Sequence, residues 1–267
     1  MFPARSRAPL YLFLTKANLN LAVASDNYPG TFSFISLEPE LLFMAKLVLG
    51  TDEAGRGAVV GPLCIAAVVV EENKENELDK MGVDDSKKLS RERREELEKK
   101  IKELVEDFAV VKISAETIDK EMKRKSLNLI EAERMAEFIE TFRPDRAIVD
   151  ATEAKTENVK RTLESLISDV AKEKIDIVAE NKADENYPVV SAASILAKVT
   201  RDNAVVGIEK KLGEEIGNGY PSDERTKGFL RRFLKENGSF PDEVRESWVT
   251  VERLLEERDQ GSLSDFC

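Results

Sequence analysis

The chain has 267 residues, a formal net charge of −11 and no histidine. An acidic chain is a poor candidate for duplex binding through bulk charge, so any nucleic-acid role must rest on local basic patches and bound cations. The lack of histidine excludes an imidazole base and leaves catalysis to carboxylates, lysines or tyrosines. Cys64 and Cys267 form neither a disulfide framework nor a metal-binding spacing. This cysteine usage fits a reducing compartment, so we expect a cytoplasmic protein. No apolar run approaches the roughly 20 residues of a membrane span, so we expect no membrane contact.

Residues 1–43 differ in composition from the rest of the chain. They are rich in aromatic residues and poor in charge, so the net charge of −11 belongs to residues 44–267. A signal peptide or an organellar transit segment is an alternative, although Lys16 interrupts the apolar stretch that a signal peptide needs. We expect Met44 to be the natural start, with residues 1–43 forming a dispensable or disordered extension.

From Lys46 onward, apolar strands alternate with amphipathic helices. Residues 46–51 are short and continuously apolar, which is typical of a strand buried on both faces. The turn at Gly61-Pro62 leads into a second strand at 63–70, close enough to pair with the first. Further strands are predicted at 108–113, 147–150 and 175–179, and helices at 91–106 with Ser90 as N-cap, 127–142, 159–167, from Pro188 through 198, 224–237 and 246–258.

Three predicted strands are followed by acidic residues. Asp52 and Glu53 follow the first strand, Asp150 ends another, and Asp184 comes soon after the last. Ligands of open α/β sheets gather beyond the carboxyl ends of the strands, so we expect these acids to converge. Any single strand-end aspartate is as well explained by a helix cap, but four acids together favour a metal site. Oxygen ligands favour Mg²⁺ or Mn²⁺, and a pair of such ions suits hydrolysis of a phosphodiester.

Several longer sequence blocks occur in a specific order. They are Asp52-Glu53-Ala54-Gly55-Arg56-Gly57, Gly61-Pro62, Asp85-Ser86-Lys87, Val149-Asp150, the stretch from Lys182-Ala183-Asp184 through Lys198, and Gly219-Tyr220-Pro221-Ser222-Asp223. Through these blocks the chain from about Lys46 to Trp248 resembles type 2 ribonuclease H (ribonuclease HII), most closely the archaeal branch. The resemblance implies a ribonuclease H-like α/β fold, with a mixed five-stranded sheet flanked by helices. It implies a catalytic core at 44–213 and a helical C-terminal extension at 214–259.

The resemblance also implies an activity. It implies endonucleolytic hydrolysis of RNA in RNA-DNA hybrids and of ribonucleotides embedded in duplex DNA, leaving 5′-phosphate and 3′-hydroxyl ends. Asp52, Glu53, Asp150 and Asp184 would be the catalytic acids that bind two Mg²⁺ or Mn²⁺ ions. We expect a monomeric enzyme of DNA replication and repair. The alternatives are another nuclease or a junction resolvase with the same fold, and a hybrid-binding protein without catalysis, against which the presence of all four acids argues.

Substrate-binding residues follow from the same resemblance. The backbone of Gly55, Arg56 and Gly57 is expected to recognise the ribose 2′-hydroxyl, the one group that separates RNA from DNA at a given site. Lys87 is expected to contact a phosphate, and Tyr220 to place the nucleotide at an RNA-DNA junction. Without their motifs, Lys87 would be one charge in a solvated run and Tyr220 a half-buried packing residue. Weaker phosphate candidates are Lys198, Arg201, Arg225 and Lys227.

The last eight residues, 260–267, are similar to the peptide that binds a sliding clamp. The pattern is a glutamine, two residues, an aliphatic residue, two more residues and two aromatics. Gln260, Leu263 and Phe266 occupy the first three of these positions, whereas Cys267 replaces the second aromatic. A frayed tail is the alternative, and the terminal position in a repair-type nuclease favours clamp binding.

Overall fold

The computed structural model describes the backbone of residues 11–15, 22–24, 45–83, 89–151 and 156–264, and the side chains of 45–83, 89–151 and 156–259. The strands are β1 (Tyr11–Thr15), β2 (Ala22–Ala24), β3 (Leu47–Ala54), β4 (Leu63–Glu71), β5 (Asp107–Ile113), β6 (Arg146–Asp150) and β7 (Asp176–Glu180). The helices are α1 (Glu75–Lys80), α2 (Arg91–Leu104), α3 (Ala115–Met122), α4 (Leu127–Phe142), α5 (Thr156–Leu166), α6 (Asp169–Lys174), α7 (Ala183–Asn186), α8 (Pro188–Leu212), α9 (Glu224–Asn237) and α10 (Val249–Ser264).

A mixed sheet forms the centre of the molecule, with the strand order β2-β1-β5-β4-β3-β6-β7. Strands β3, β4 and β5 are antiparallel neighbours, whereas β3, β6 and β7 run parallel. These five strands confirm the predicted mixed sheet. Strands β1 and β2, which the sequence did not predict, continue the sheet beyond β5. The native start at Met44 and the proposed domain boundaries stay predictions.

An apolar layer covers each face of the sheet. Side chains of β3 alternate between the two layers, as strand geometry requires. Leu49 packs with α4 on one face, and Val48 packs with α8 and α2 on the other. The parallel strands β3, β6 and β7 have their carboxyl ends at the same edge of the sheet, where the predicted acids follow them.

Most predicted boundaries lie within a few residues of the observed ones. Helices α4 and α9 coincide with the predicted segments, and the hydroxyl of Ser90 accepts the backbone N–H of Arg93, which confirms the predicted cap of α2. The last helix begins at Val249 rather than at residue 246, because the N–H groups of Glu246 and Ser247 donate to the Asp119 carboxylate instead.

Helices α9 and α10 form a third, smaller apolar cluster with Val59 and Val60, which lie just beyond β3. Val60 also pairs with Val244 in an isolated β-bridge. The C-terminal extension therefore packs directly on the segment that follows the predicted catalytic strand. In the part of the chain that the structure describes, no helix is both long enough and apolar enough to cross a membrane.

Helix α8 lies directly against the sheet at Gly50. A Cβ atom added there would lie 2.5 Å from the carbonyl carbon of Val189 and 2.6 Å from the backbone nitrogen of Val190. Such distances require movement of the helix backbone. Gly50 therefore sets the distance between β3 and α8, two residues before Asp52.

We expect Gly50→Ala to lower the free energy of unfolding by about 3 kcal/mol, because the added methyl overpacks against helix backbone. The matched control is Gly207→Ala within α8, where an added Cβ meets nothing within 4 Å. That control is expected to raise stability by up to about 1 kcal/mol through helix propensity. Urea unfolding followed by circular dichroism measures both, and equal stability of the two variants would contradict the packing argument.

Candidate active site

Asp52 lies at the carboxyl end of β3, on the face covered by α8. Its residue surface is 5% exposed, and its carboxylate accepts hydrogen bonds from the Ser194 hydroxyl and from the backbone nitrogen of Glu53. The ammonium group of Lys198 donates to the Ser194 hydroxyl. Burial raises the pKa of Asp52 to about 6, against the opposing effects of Lys198 and Ser194. Ser194 and Lys198 of α8 thus hold the Asp52 carboxylate.

Asp150 and Asp184 lie at the same edge of the sheet. The register between β3 and β6 pairs Thr51 with Val149, so Asp52 and Asp150 are the next residues along two neighbouring parallel strands. The Asp150 carboxylate accepts the backbone N–H of Ala183 at 2.8 Å, which ties the start of α7 to β6. Asp184 follows in α7 and is 6% exposed. It lies in this short helix rather than directly at a strand end.

Glu53 lies on the opposite face of the sheet from Asp52, because successive residues of a strand point in opposite directions. There it faces α4 across a cavity of about 150 Å³, whose lining includes Glu131 and Asp150. Burial raises the pKa of Glu53 well above its usual range, and the charges of Asp52, Glu131 and Asp150 raise it further, while Arg56 lowers it. Burial likewise raises the pKa of Glu131 to about 7.

Within the described ranges, no three acidic side chains are grouped closely enough to hold one metal ion. The acids nevertheless fit divalent cations in their chemistry, since every candidate donor is an oxygen. Burial, together with repulsion from neighbouring carboxylates, raises the pKa values of Asp52 and Glu53. A divalent cation would remove that repulsion and draw the carboxylates together.

Gly55, Arg56 and Gly57 form a loop directly after β3, called here the glycine loop. Gly55 has φ of +87°, and an added Cβ would lie 2.7 Å from the carbonyl oxygen of Pro62 and 2.9 Å from Cδ of Arg201. Backbone conformation and space both require glycine at this position. The loop therefore brings its peptide groups against other parts of the chain more closely than any side chain would allow.

Arg245 holds the glycine loop from the C-terminal extension. It is fully buried and donates to three carbonyl groups: that of Gly55 at 2.7 Å, that of Arg56 at 2.9 Å and that of Gly61 at 3.1 Å. Its guanidinium also lies 4.8 Å from the centre of the Trp248 ring. Burial lowers the pKa of Arg245 to about 10, so the group stays charged at neutral pH. Sequence reasoning missed this residue, since no local pattern separates a buried arginine from a solvated one.

Tyr220 is tied to the same region. The Arg201 guanidinium stacks 4.5 Å from the centre of its ring and donates to the carbonyl of Asn218. The carbonyl of Gly219 accepts the N–H groups of Val59 and Val60 at 2.8 and 3.1 Å. Arg201 is 5% exposed, and its phosphate contact stays a prediction. In this structure it supports Tyr220 and packs against Gly55.

Some predicted residues cannot be placed. Lys87 and Phe266 lie outside the described residues. Gln260 and Leu263 belong to the backbone of α10, and their side chains are outside the described part. Their predicted roles stay predictions.

Comparison with known proteins places the chain among close relatives. The sequence model described as Ribonuclease HII matches residues 49–251. A ribonuclease HII from Thermococcus sibiricus is 45% identical over 223 residues, which cover 81% of this chain and 96% of that relative. The crystal structure of ribonuclease H2 from Pyrococcus horikoshii OT3 is 37% identical with a TM-score of 0.73, covering 79% of this chain and 98% of that one. The ribonuclease HII in a PCNA complex from Archaeoglobus fulgidus is 41% identical with a TM-score of 0.69, covering 76% of this chain and 95% of that one. These matches confirm the resemblance and the predicted fold.

We expect Arg245→Met to lower the free energy of unfolding by about 3 kcal/mol, because it removes the donor to three carbonyl groups while keeping an apolar stem of similar length. The free energy of unfolding of Arg245→Lys is expected to lie between those of Arg245→Met and the unmodified chain. One ammonium group cannot reproduce the hydrogen bonds of the planar guanidinium. Urea unfolding measures the change. The control is Arg253→Met on the exposed side of α10, with an expected change below about 0.5 kcal/mol; a similar small effect at Arg245 would show that the buried bonds are not needed.

Proposed function

Because the chain belongs to the ribonuclease HII family of metal-dependent endoribonucleases, we propose that Asp52, Glu53, Asp150 and Asp184 are its catalytic metal-binding acids. The enzyme hydrolyses the RNA strand of RNA-DNA hybrids. We further propose that it cleaves at ribonucleotides embedded in duplex DNA, with the glycine loop as the group that recognises ribose.

One observation carries this proposal. Asp52, Asp150 and Asp184 come from β3, β6 and α7, three elements that meet at one edge of the sheet, and the glycine loop begins two residues beyond Glu53. A site that cleaves beside a recognised 2′-hydroxyl needs carboxylates and a sugar-binding backbone next to each other. This edge of the sheet has both.

The chain's own groups have separate tasks in this proposal. Ser194 and Lys198 orient the Asp52 carboxylate and favour its anionic form, and the N–H of Ala183 orients Asp150. A 2′-hydroxyl both donates and accepts hydrogen bonds, so it matches the paired N–H and C=O groups of a fixed loop. Tyr220, held by Arg201, would pack on the nucleotide at the junction. Mg²⁺ or Mn²⁺, when bound by the four acids, would supply Lewis-acid activation of water and stabilise the leaving oxygen.

We expect Asp52→Asn or Asp150→Asn to abolish cleavage of a duplex with one embedded ribonucleotide, while binding of the uncleaved duplex survives. The amide keeps the size of the side chain but removes the charge that a divalent cation requires. Cleavage is measured by gel electrophoresis with Mg²⁺ or Mn²⁺, and binding by fluorescence anisotropy.

The matched control is Asp176→Asn, an exposed residue at the opposite end of the parallel strands. Its cleavage rate should equal that of the unmodified enzyme. Substantial residual cleavage by Asp52→Asn or Asp150→Asn would refute the assignment. Cleavage of an all-DNA duplex at a similar rate would instead indicate a nuclease that does not recognise ribose.

We also infer that residues 260–267 bind a sliding clamp. The Archaeoglobus fulgidus relative is described as a complex with PCNA, and this chain carries the glutamine, aliphatic and aromatic positions of the clamp-binding pattern at Gln260, Leu263 and Phe266. Helix α10 continues to Ser264, so the tail follows directly from the C-terminal extension.

Isothermal calorimetry with the sliding clamp of the same organism tests this inference. Removal of residues 260–267 is expected to abolish the heat of binding, because the apolar anchors of the peptide are lost. Glu256→Gln, an exposed change earlier in α10, serves as the control and should bind as the full chain does. Equal affinity with and without the tail would exclude the inferred role.

A further inference from the structure

The side chain of Arg56 binds helix α4. Its guanidinium donates to the carboxylate of Glu131 and to the side-chain carbonyl of Asn128. These two residues are three apart in α4, so they lie on the same face of the helix and present two acceptors to one planar donor. The middle residue of the glycine loop is therefore anchored by its side chain.

Glu131 is buried at this contact, with its side chain 6% exposed and that of Arg56 30% exposed. The second carboxylate oxygen, Oε1, is buried, and in the described part of the chain it has no hydrogen-bond partner. A buried carboxylate is costly unless it is paired. The contact that offsets this cost is the bond to Arg56, which makes Glu131 and the glycine loop depend on each other.

Two anchors thus hold the glycine loop from different sides. Arg245 binds the carbonyl groups of Gly55 and Arg56 from the C-terminal extension, and α4 binds the Arg56 side chain. Loss of the α4 anchor would leave the loop attached but free to rotate about the Arg245 contacts. A hydrogen bond to a ribose hydroxyl weakens steeply with such a change in angle.

We propose that Asn128 and Glu131 are positioning residues for ribose recognition, which act by holding the Arg56 side chain. The Arg56 guanidinium then contacts α4, while the backbone of the loop contacts the 2′-hydroxyl. This inference rests on the proposed role of the glycine loop. It adds two residues of α4 to the determinants of specificity, although neither needs to touch the substrate.

Binding without divalent metal separates this role from catalysis. Affinities for two duplexes of identical sequence, one with a single embedded ribonucleotide and one all DNA, are measured by fluorescence anisotropy in EDTA. We expect Glu131→Ala and Asn128→Ala to reduce the preference for the ribonucleotide duplex about tenfold, the effect of one lost hydrogen bond. Affinity for the all-DNA duplex should stay unchanged. Glu131→Gln keeps an acceptor for Arg56 and should retain most of the preference.

A double-mutant cycle tests whether the residues act through Arg56. Arg56→Met combined with Glu131→Ala should lose no more preference than Arg56→Met alone, because Arg56→Met already removes the contact with Glu131. The matched control is Glu133→Ala in the same helix, whose carboxylate pairs with Lys125 at 2.7 Å rather than with the loop. It should keep the full preference. Thermal unfolding of each variant confirms that it is folded at the temperature of the assay.

The outcomes distinguish this inference from the function on which it rests. An unmodified enzyme without preference for the ribonucleotide duplex would overturn the role of the glycine loop, and this inference with it. A preference that persists in folded Glu131→Ala and Asn128→Ala would overturn only the positioning role. An equal loss of affinity for both duplexes would also overturn it, since that result indicates a general structural effect.

Discussion

The guanidinium of Arg245 comes from the C-terminal extension and binds the carbonyl groups of the loop that ends β3. Its burial takes a full charge out of water, and the hydrogen bonds to three carbonyl groups offset that cost. Each partner depends on the other, because the three carbonyl groups would lose the Arg245 donors and the buried cation would lose its acceptors. Pairing of Val59 and Val60 with Gly219 adds backbone bonds between the same two regions. The glycine loop and the C-terminal extension therefore form as one cooperative unit.

At the edge of the sheet, strand geometry and burial determine the directions and the pKa values of the acidic side chains. Asp52 and Glu53 must diverge because they are neighbours in a strand, and both are buried enough for their pKa values to rise. The folded chain thus carries an electrostatic cost that divalent cations would relieve. Metal binding should therefore stabilise the folded state as well as enable the reaction, since a ligand that binds only the native protein shifts the folding equilibrium towards it.

Local sequence signals were sufficient for the five strands β3 to β7, for the longer helices and for the acids near the strand ends, because the periodicity of β3, β6 and α4 is a property of short segments. They did not predict the shorter helices α1, α3, α6 and α7. They were insufficient for the groups that hold the loop. Arg245 is separated from Gly55 by 190 residues and Glu131 from Arg56 by 75, and each belongs to a charged stretch that resembles a solvated surface. Strands β1 and β2 were missed because their low charge suggested a leader rather than a sheet edge.

Residues 52–57 form one continuous stretch of backbone. It carries both parts of the proposed function, metal binding by Asp52 and Glu53 and ribose recognition by the glycine loop. Gly50 allows β3 to pack closely against α8, which fixes the position of Asp52. The contacts of Arg56 and Arg245 fix the glycine loop, which begins five residues after Gly50. A displacement of about 1 Å at Asp52 would be transmitted to the glycine loop, and the reverse also holds. Positioning errors of that size are costly in catalysis. In the proposed function, the loop that recognises ribose and the acids that act on the phosphate are thereby held at a constant separation. On that proposal, rigid support of the loop, rather than the number of its contacts with substrate, confines cleavage to the position beside a recognised ribose.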